Sequence, residues 1–183
     1  VALGGGWWLR SQQQETLRAQ QKQEREDEAA RQREAARQRA EAEVAAAFNN
    51  EVRAATDLCT GASHASAWEN FGDLQARAPS AAARAALQSA QADCGMAWLR
   101  VMSVPEGTRF ETLTKKIVPV LGREVAVAQG QRLGDLQAHL GWAEFLRWRD
   151  GTRAEPVAYY NRAIEADPAN PYANAMWAQN SVF

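Results

Sequence analysis

The side chains able to ligate a metal or trade electrons are few: Cys59 and Cys94, His64 and His139. A structural zinc needs four such ligands at short, paired spacings, and positions 59, 64, 94 and 139 match no compact zinc signature. No metal is expected. Cys59 closes a stretch with an amphipathic helical period and Cys94 falls on the apolar stripe of another. Two readings follow, a disulfide stapling the two helices or two unlinked buried thiols. A bridge would close a loop of about 35 residues and add some 3 kcal/mol, and it would require an oxidising compartment. His64 reads as a loop or cap residue and His139 as a helix-face residue beside Leu140.

Catalytic chemistry leaves no signature. There is no nucleophile elbow, phosphate loop or dinucleotide glycine pattern, because Gly4-Gly5-Gly6 lies in an apolar stretch and Gly130, Gly134 and Gly141 are scattered through helical sequence. Glu165 and Asp167 are a turn pair with no pocket to make them acid and base. We therefore expect neither an enzyme nor a cofactor. With 21 basic and 22 acidic side chains the net charge is −1, without the basic excess of a nucleic-acid binder.

The elements that must position these residues are helical. Alanine accounts for 38 of the 183 residues, so the apolar fraction makes more helix than core, and one domain of roughly 130 residues is what the larger side chains can fill. Residues 1–10 hold the apolar run Val1–Leu9, which ends in Trp7-Trp8 before Arg10. A span needs about 20 apolar residues, so this run reads as the exit end of a transmembrane or membrane-proximal segment of a chain that begins earlier. Residues 11–43 are Gln, Glu, Arg and Ala with Leu17 as the one large aliphatic residue, and their charges balance. They spell a solvated helical stalk about 50 Å long. Its candidate heptad seam carries Leu17, Glu24, Arg31 and Gln38, so a tight coiled coil is not expected, and an alanine-faced pairing through Ala29, Ala36 and Ala40 is the alternative.

Residues 44–131 carry the helical period of a bundle. Val44, Phe48, Val52, Ala55 and Leu58 line one face, and no Gly or Pro interrupts the helix before Gly61. Ser66-Ala-Trp-Glu69 reads as a capping box opening a helix with Trp68, Phe71 and Leu74 inward. Pro79-Ser80 stops one helix and caps the next, whose stripe is Leu87, Ala90, Cys94, Trp98 and Val101, and Val104 to Gly107 ends it. Thr108 to Glu111 is another capping box, opening a helix with Phe110, Leu113 and Ile117 that breaks near Pro119. Further helices are expected at 133–148, 155–166 and after Pro171. No strand pattern exceeds Val125-Ala-Val127, so the class is all-α.

Residues 132–183 hold one recognisable motif. Leu140-Gly141-Trp-Ala143, followed by Tyr159-Tyr160-Asn-Arg-Ala163 and Asp167-Pro168, resembles a tetratricopeptide repeat. The resemblance implies a helical hairpin in which Leu140 and Gly141 lie in the first helix and Tyr160 and Ala163 in the second. Gly141 and Ala163 would sit at the close approach, with Pro168 in the turn. From Leu140 to Pro168 is 28 residues, about three more than the family spacing, and Pro156 occupies a slot usually filled by Ala. Trp68-Glu-Asn-Phe71-Gly72 fits the first-helix pattern of a degenerate repeat, although Gln88 and Gln91 fail its second-helix slots. Trp177-Ala178 would occupy the Leu-Gly slots of one more helix, which further helices or a partner would cap.

The resemblance implies protein–protein interaction. A membrane-anchored helical adaptor or scaffold with an unidentified protein partner is the leading expectation. A sensory ectodomain of a transmembrane signalling protein, such as a receptor kinase, is the alternative, and a structural subunit of a membrane complex, homo-oligomeric or not, is the third. Trp68, Trp98, Trp142 and Trp177 have core spacing, whereas Trp148 between Arg147 and Arg149 is the candidate exposed anchor. Arg10, Arg18, Lys22 and Arg25 favour a cytoplasmic side. They are interleaved with acids, however, and the cysteine pair tips the expectation to an extracytoplasmic, periplasmic side.

Overall fold

A computed structural model describes residues 5–102, 113–149 and 155–180, with side chains except at positions 5–11, 113, 148, 149 and 180. The described chain is all-α: α1 (Gly5–Thr60), α2 (His64–Gln75), α3 (Ala81–Val101), a π-helical turn (Leu113–Ile117), α4 (Val118–Val125), α5 (Gly130–Arg149), α6 (Pro156–Ala166) and α7 (Pro171–Asn180). By compactness the chain divides between residues 47 and 48. Residues on both sides of the 131/132 boundary expected from sequence contribute to one core cluster.

In the first unit the described side chains of α1, from residue 12, are solvent-exposed almost throughout. No tertiary burial holds this stretch helical, so its stability rests on strong helix formers and on pairs one turn apart. These include Lys22 with Glu26 at 3.7 Å, Arg37 with Glu41 at 3.3 Å, and Gln23 donating to Asp27 at 2.9 Å. No helix among the described residues is long and apolar enough to cross a membrane. The tryptophans at 7 and 8 fall where only the backbone is described.

In the second unit, α1 turns its face towards the core. That face is Phe48, Val52, Ala55 and Cys59 rather than the expected row from Val44 to Leu58. Val44 is 58% exposed, and Leu58 lies about a quarter of a turn off the stripe that Ala55 and Cys59 continue. The helix ends in a Schellman turn: Ala62 takes φ +64°, its N–H donates to Cys59 O at 3.0 Å, and Ser63 N–H donates to Leu58 O at 2.9 Å. This turn delivers the chain into α2 at His64, with Ser63 at the cap. The expected capping box at Ser66 therefore falls inside the helix.

Ser80 caps α3 as expected, its hydroxyl accepting from Ala83 N–H at 3.1 Å. Sequence periodicity identifies only one buried side of α3. Leu87 and Cys94 join Phe48, Ala67, Phe71 and Leu74 in one cluster, whereas Ala92, Met96 and Leu99 enter a second one. An apolar residue set that runs nearly round a helix is the mark of a central helix. Val101, expected inward, is 64% exposed. Pro119 cannot donate to the preceding turn, so the chain makes a π turn and starts α4 afresh with Pro119 near its first position. The capping box at 108–111 lies outside the described residues.

The second cluster is the heart of the unit: Trp68, Leu99, Ile117, Leu121, Leu136, Leu140, Ala143 and Leu146 come from α2, α3, the π turn, α4 and α5. Gly95 admits it. A Cβ there would come within 3.2 Å of both the Trp68 ring and Ile117, so its missing side chain lets α3 take the indole. Arg132 locks α5 to its neighbours. It pairs with Asp93 of α3, reaches Glu124 of α4 at 3.7 Å, and donates to Ser89 Oγ at 3.2 Å. At the α4–α5 link, Gly130 takes φ +54°, which an L side chain rarely adopts.

Candidate functional site

The C-terminal layer of α5, α6 and α7 holds the residues that the sequence singles out. Each helix starts or stops for a local reason. Pro156 opens α6, where its missing N–H is no loss. Asp167 N–H donates to Ala163 O at 2.9 Å and closes α6, with Pro168 in the turn. Asn170 caps α7: its Oδ1 accepts from Ala173 N–H at 2.8 Å.

α5 and α6 run antiparallel, and glycines set their separation. A Cβ on Gly141 would lie 2.4 Å from Tyr160 Cε1, so the fully buried tyrosine ring occupies the space a side chain there would need. A Cβ on Gly134 would lie 2.9 Å from Asp167 Cβ and 3.2 Å from Ala163 O. The residue opposite Gly141 is thus Tyr160, and the glycine that approaches Ala163 is Gly134. In an antiparallel hairpin the step from Tyr160 to Ala163 moves one turn back along α5, and Ala163 packs with Ala138 and with Ala173 of α7. Leu140 turns the other way, into the main core with α3 and α4. Gly72, the matching slot on α2, is exposed and a Cβ there would meet nothing within 4 Å, so α2 uses no close approach at that position.

Sequence reading missed the polar seam between α5, α7 and α3. His139 is fully buried, with its imidazole stacked on Tyr172 of α7 at 4.4 Å between ring centroids. A carbonyl oxygen only accepts, so the 2.6 Å contact to Asp135 O places the proton on Nδ1. Nε2 is then free to accept from Arg100 Nε at 2.8 Å. Burial, opposed only in part by the Asp135 carbonyl, together with the adjacent Arg100 pushes the His139 pKa down to about 4. Burial also pushes the Tyr172 phenol up to about 12. Beside this stack the buried Asn170 donates to Asp135 Oδ1 at 2.6 Å. The only sequence signal was Asn170 before Pro171, the pattern of a cap and first helical residue.

The expected exposed anchor divides. Arg147 is half-buried and paired with Glu144 at 2.6 Å, with its Nε enclosed, so it is no open edge. The side chains of Trp148 and Arg149 lie outside the described residues. Trp177, expected in the core, is 43% exposed and donates to Asn161 Oδ1 at 3.1 Å. Val157, one turn before Asn161 on α6, is 40% exposed.

Elsewhere, Cys59 and Cys94 form a disulfide (S–S 2.09 Å, Cα–Cα 5.8 Å) that joins α1 to α3. His64 opens α2 and stacks on Trp98 at 6.2 Å. A shallow groove of about 270 Å³ beside the disulfide is lined by small residues, Thr56, Thr60 and Asp93, with no convergent polar set. Among the described residues no three His, Cys, Asp or Glu side chains gather into a metal-holding group. Compared with protein-family models, curated proteins and solved structures, the chain matches none of them.

Proposed function

We propose that the chain is a membrane-anchored helical scaffold that recognises another protein through the outer face of its tetratricopeptide-like C-terminal layer, from the extracytoplasmic side. One observation carries the choice of face. In an open repeat array the first helix of each pair lines a groove that receives the ligand. Here α5 would be that helix, and it is covered on both sides, by Leu136, Leu140 and Leu146 packing into the main core and by Gly134, Ala138 and Gly141 packing towards α6. We therefore assign recognition to the outer surface of α6 and α7, where Trp177 and Val157 stand exposed near Asn161. A disulfide between α1 and α3 is compatible with an oxidising compartment. The apolar run ending in Trp7-Trp8 and Arg10 supports the membrane anchor.

The test is purification of the chain from gently solubilised membranes of its native cell, alongside a Val157→Asp, Trp177→Asp variant. The reading expects the wild type to sediment with membranes and to bring a stoichiometric protein partner that the variant loses at unchanged helicity. Recovery of the wild type alone, or equal recovery of the partner with both, would reject it.

A further inference from the structure

The polar seam under α7 has the construction of a latch. α7 buries few side chains: among its described residues only Ala173 is fully buried, and its other contacts include Tyr172 on His139 and beneath Arg100, the cap residue Asn170 on Asp135, and Trp177 on Asn161. A terminal helix so thinly attached opens at lower free-energy cost than the core beneath it. One of those contacts is a ring stack on an imidazole whose hydrogen bonds fix it in the neutral form. Both ring nitrogens are committed, Nδ1 as donor to a carbonyl and Nε2 as acceptor from a guanidinium that never loses its proton. A proton on Nε2 would set donor against donor and cation against cation at 2.8 Å, on a ring that is itself fully buried although Arg100 reaches solvent.

We propose that protonation of His139 releases α7 from the bundle while α2 and α3 stay packed, making the terminal helix an acid-operated latch. The charges around the imidazole agree in sign. Arg100 of α3 and Arg132 of its own helix oppose a second positive charge, whereas Asp135 favours it but is engaged by Asn170. Tyr172 of α7 and Tyr160 of α6 are phenols, neutral throughout the acid range, and burial raises their pKa further. Once α7 lifts, His139 meets water and recovers its ordinary affinity for protons, so acid favours the open form. The latch operates whether or not the α6–α7 face is the docking surface.

Hydrogen exchange on the intact chain at pH 7.5 and pH 5.0, corrected for the intrinsic pH dependence of exchange, reads the opening of each helix separately. With a proton affinity that moves from about 4 closed to 6.5 open, the opening constant of α7 should rise about 30-fold between the two conditions. Amides in α2 and α3 should not move, and His139→Gln, which keeps an acceptor for Arg100 but cannot titrate, should abolish the rise. An α7 opening constant equal at both pH values, a rise shared by α2 and α3, or a rise that persists in His139→Gln would each overturn the latch. If the variant does not fold, the helix-by-helix comparison within the wild type decides between the first two outcomes.

Discussion

Tyr160→Ala is expected to destabilise the protein by about 3 to 5 kcal/mol, the usual cost of removing a fully buried aromatic ring. The ring lies against Gly141 so closely that a methyl group there has no room. This geometry makes a sharper demand on the pair. In an open helix Gly→Ala stabilises by about 0.5 to 1 kcal/mol through backbone entropy. At Gly141 the same change should instead cost about 1 to 3 kcal/mol by overpacking. In the Tyr160→Ala background the cavity accepts the methyl, and the sign should reverse to a gain of up to about 1 kcal/mol. Gly72→Ala, with nothing near its Cβ, is the control and should stabilise in either background. Urea unfolding of the four Tyr160/Gly141 variants measures the coupling. Additive effects would mean that ring and glycine do not meet.

The second large effect belongs to the disulfide. Bridging residues 35 apart removes chain entropy from the unfolded state by about 3 to 4 kcal/mol, and the Cys59→Ala, Cys94→Ala variant should lose that amount. For a unit of this size the loss corresponds to a fall in Tm on the order of 10 °C. Reductant should lower the wild-type Tm by a similar amount and leave the variant unmoved. A wild-type melt indifferent to reductant would contradict the bridge, and with it the strongest support for an oxidising compartment.

What could be read from the sequence follows the range of the forces involved. Helix starts and stops are local, so Ser80, Pro156 and Pro171 announced themselves, and the run of Gln, Glu and Arg in α1 declared an exposed helix because no apolar stripe competes with it. Single-face periodicity served where a helix has one buried side. It failed on α3, which is buried on two, and on α1, where Val44 precedes the part of the helix that has something to pack against and Leu58 lies off the stripe that Ala55 and Cys59 continue.

Glycines showed the limit most plainly. Gly72, Gly95, Gly134 and Gly141 sit in similar helical sequence, yet one is open and three take another residue into their empty space. Only the register between helices tells them apart. The repeat-like spacing named Gly141, Tyr160 and Ala163 but not their partners: Gly141 meets Tyr160, and it is Gly134 that meets Ala163. His139 was invisible for the same reason: its partners Arg100 and Tyr172 come from helices 39 residues upstream and 33 downstream. At the α1–α2 turn the Schellman geometry at Ala62 overrode the capping box at Ser66, since the chain was already helical by His64.

The central claim is that recognition uses the outer face of α6 and α7. It is tested most directly by placing a photo-crosslinking residue at Val157, at Ala178, or at Glu69 on the exposed side of α2, and irradiating intact membranes of the native cell. The account predicts one discrete protein adduct from positions 157 and 178 and none from position 69. An adduct from position 69 alone, or from none of the three, would contradict it.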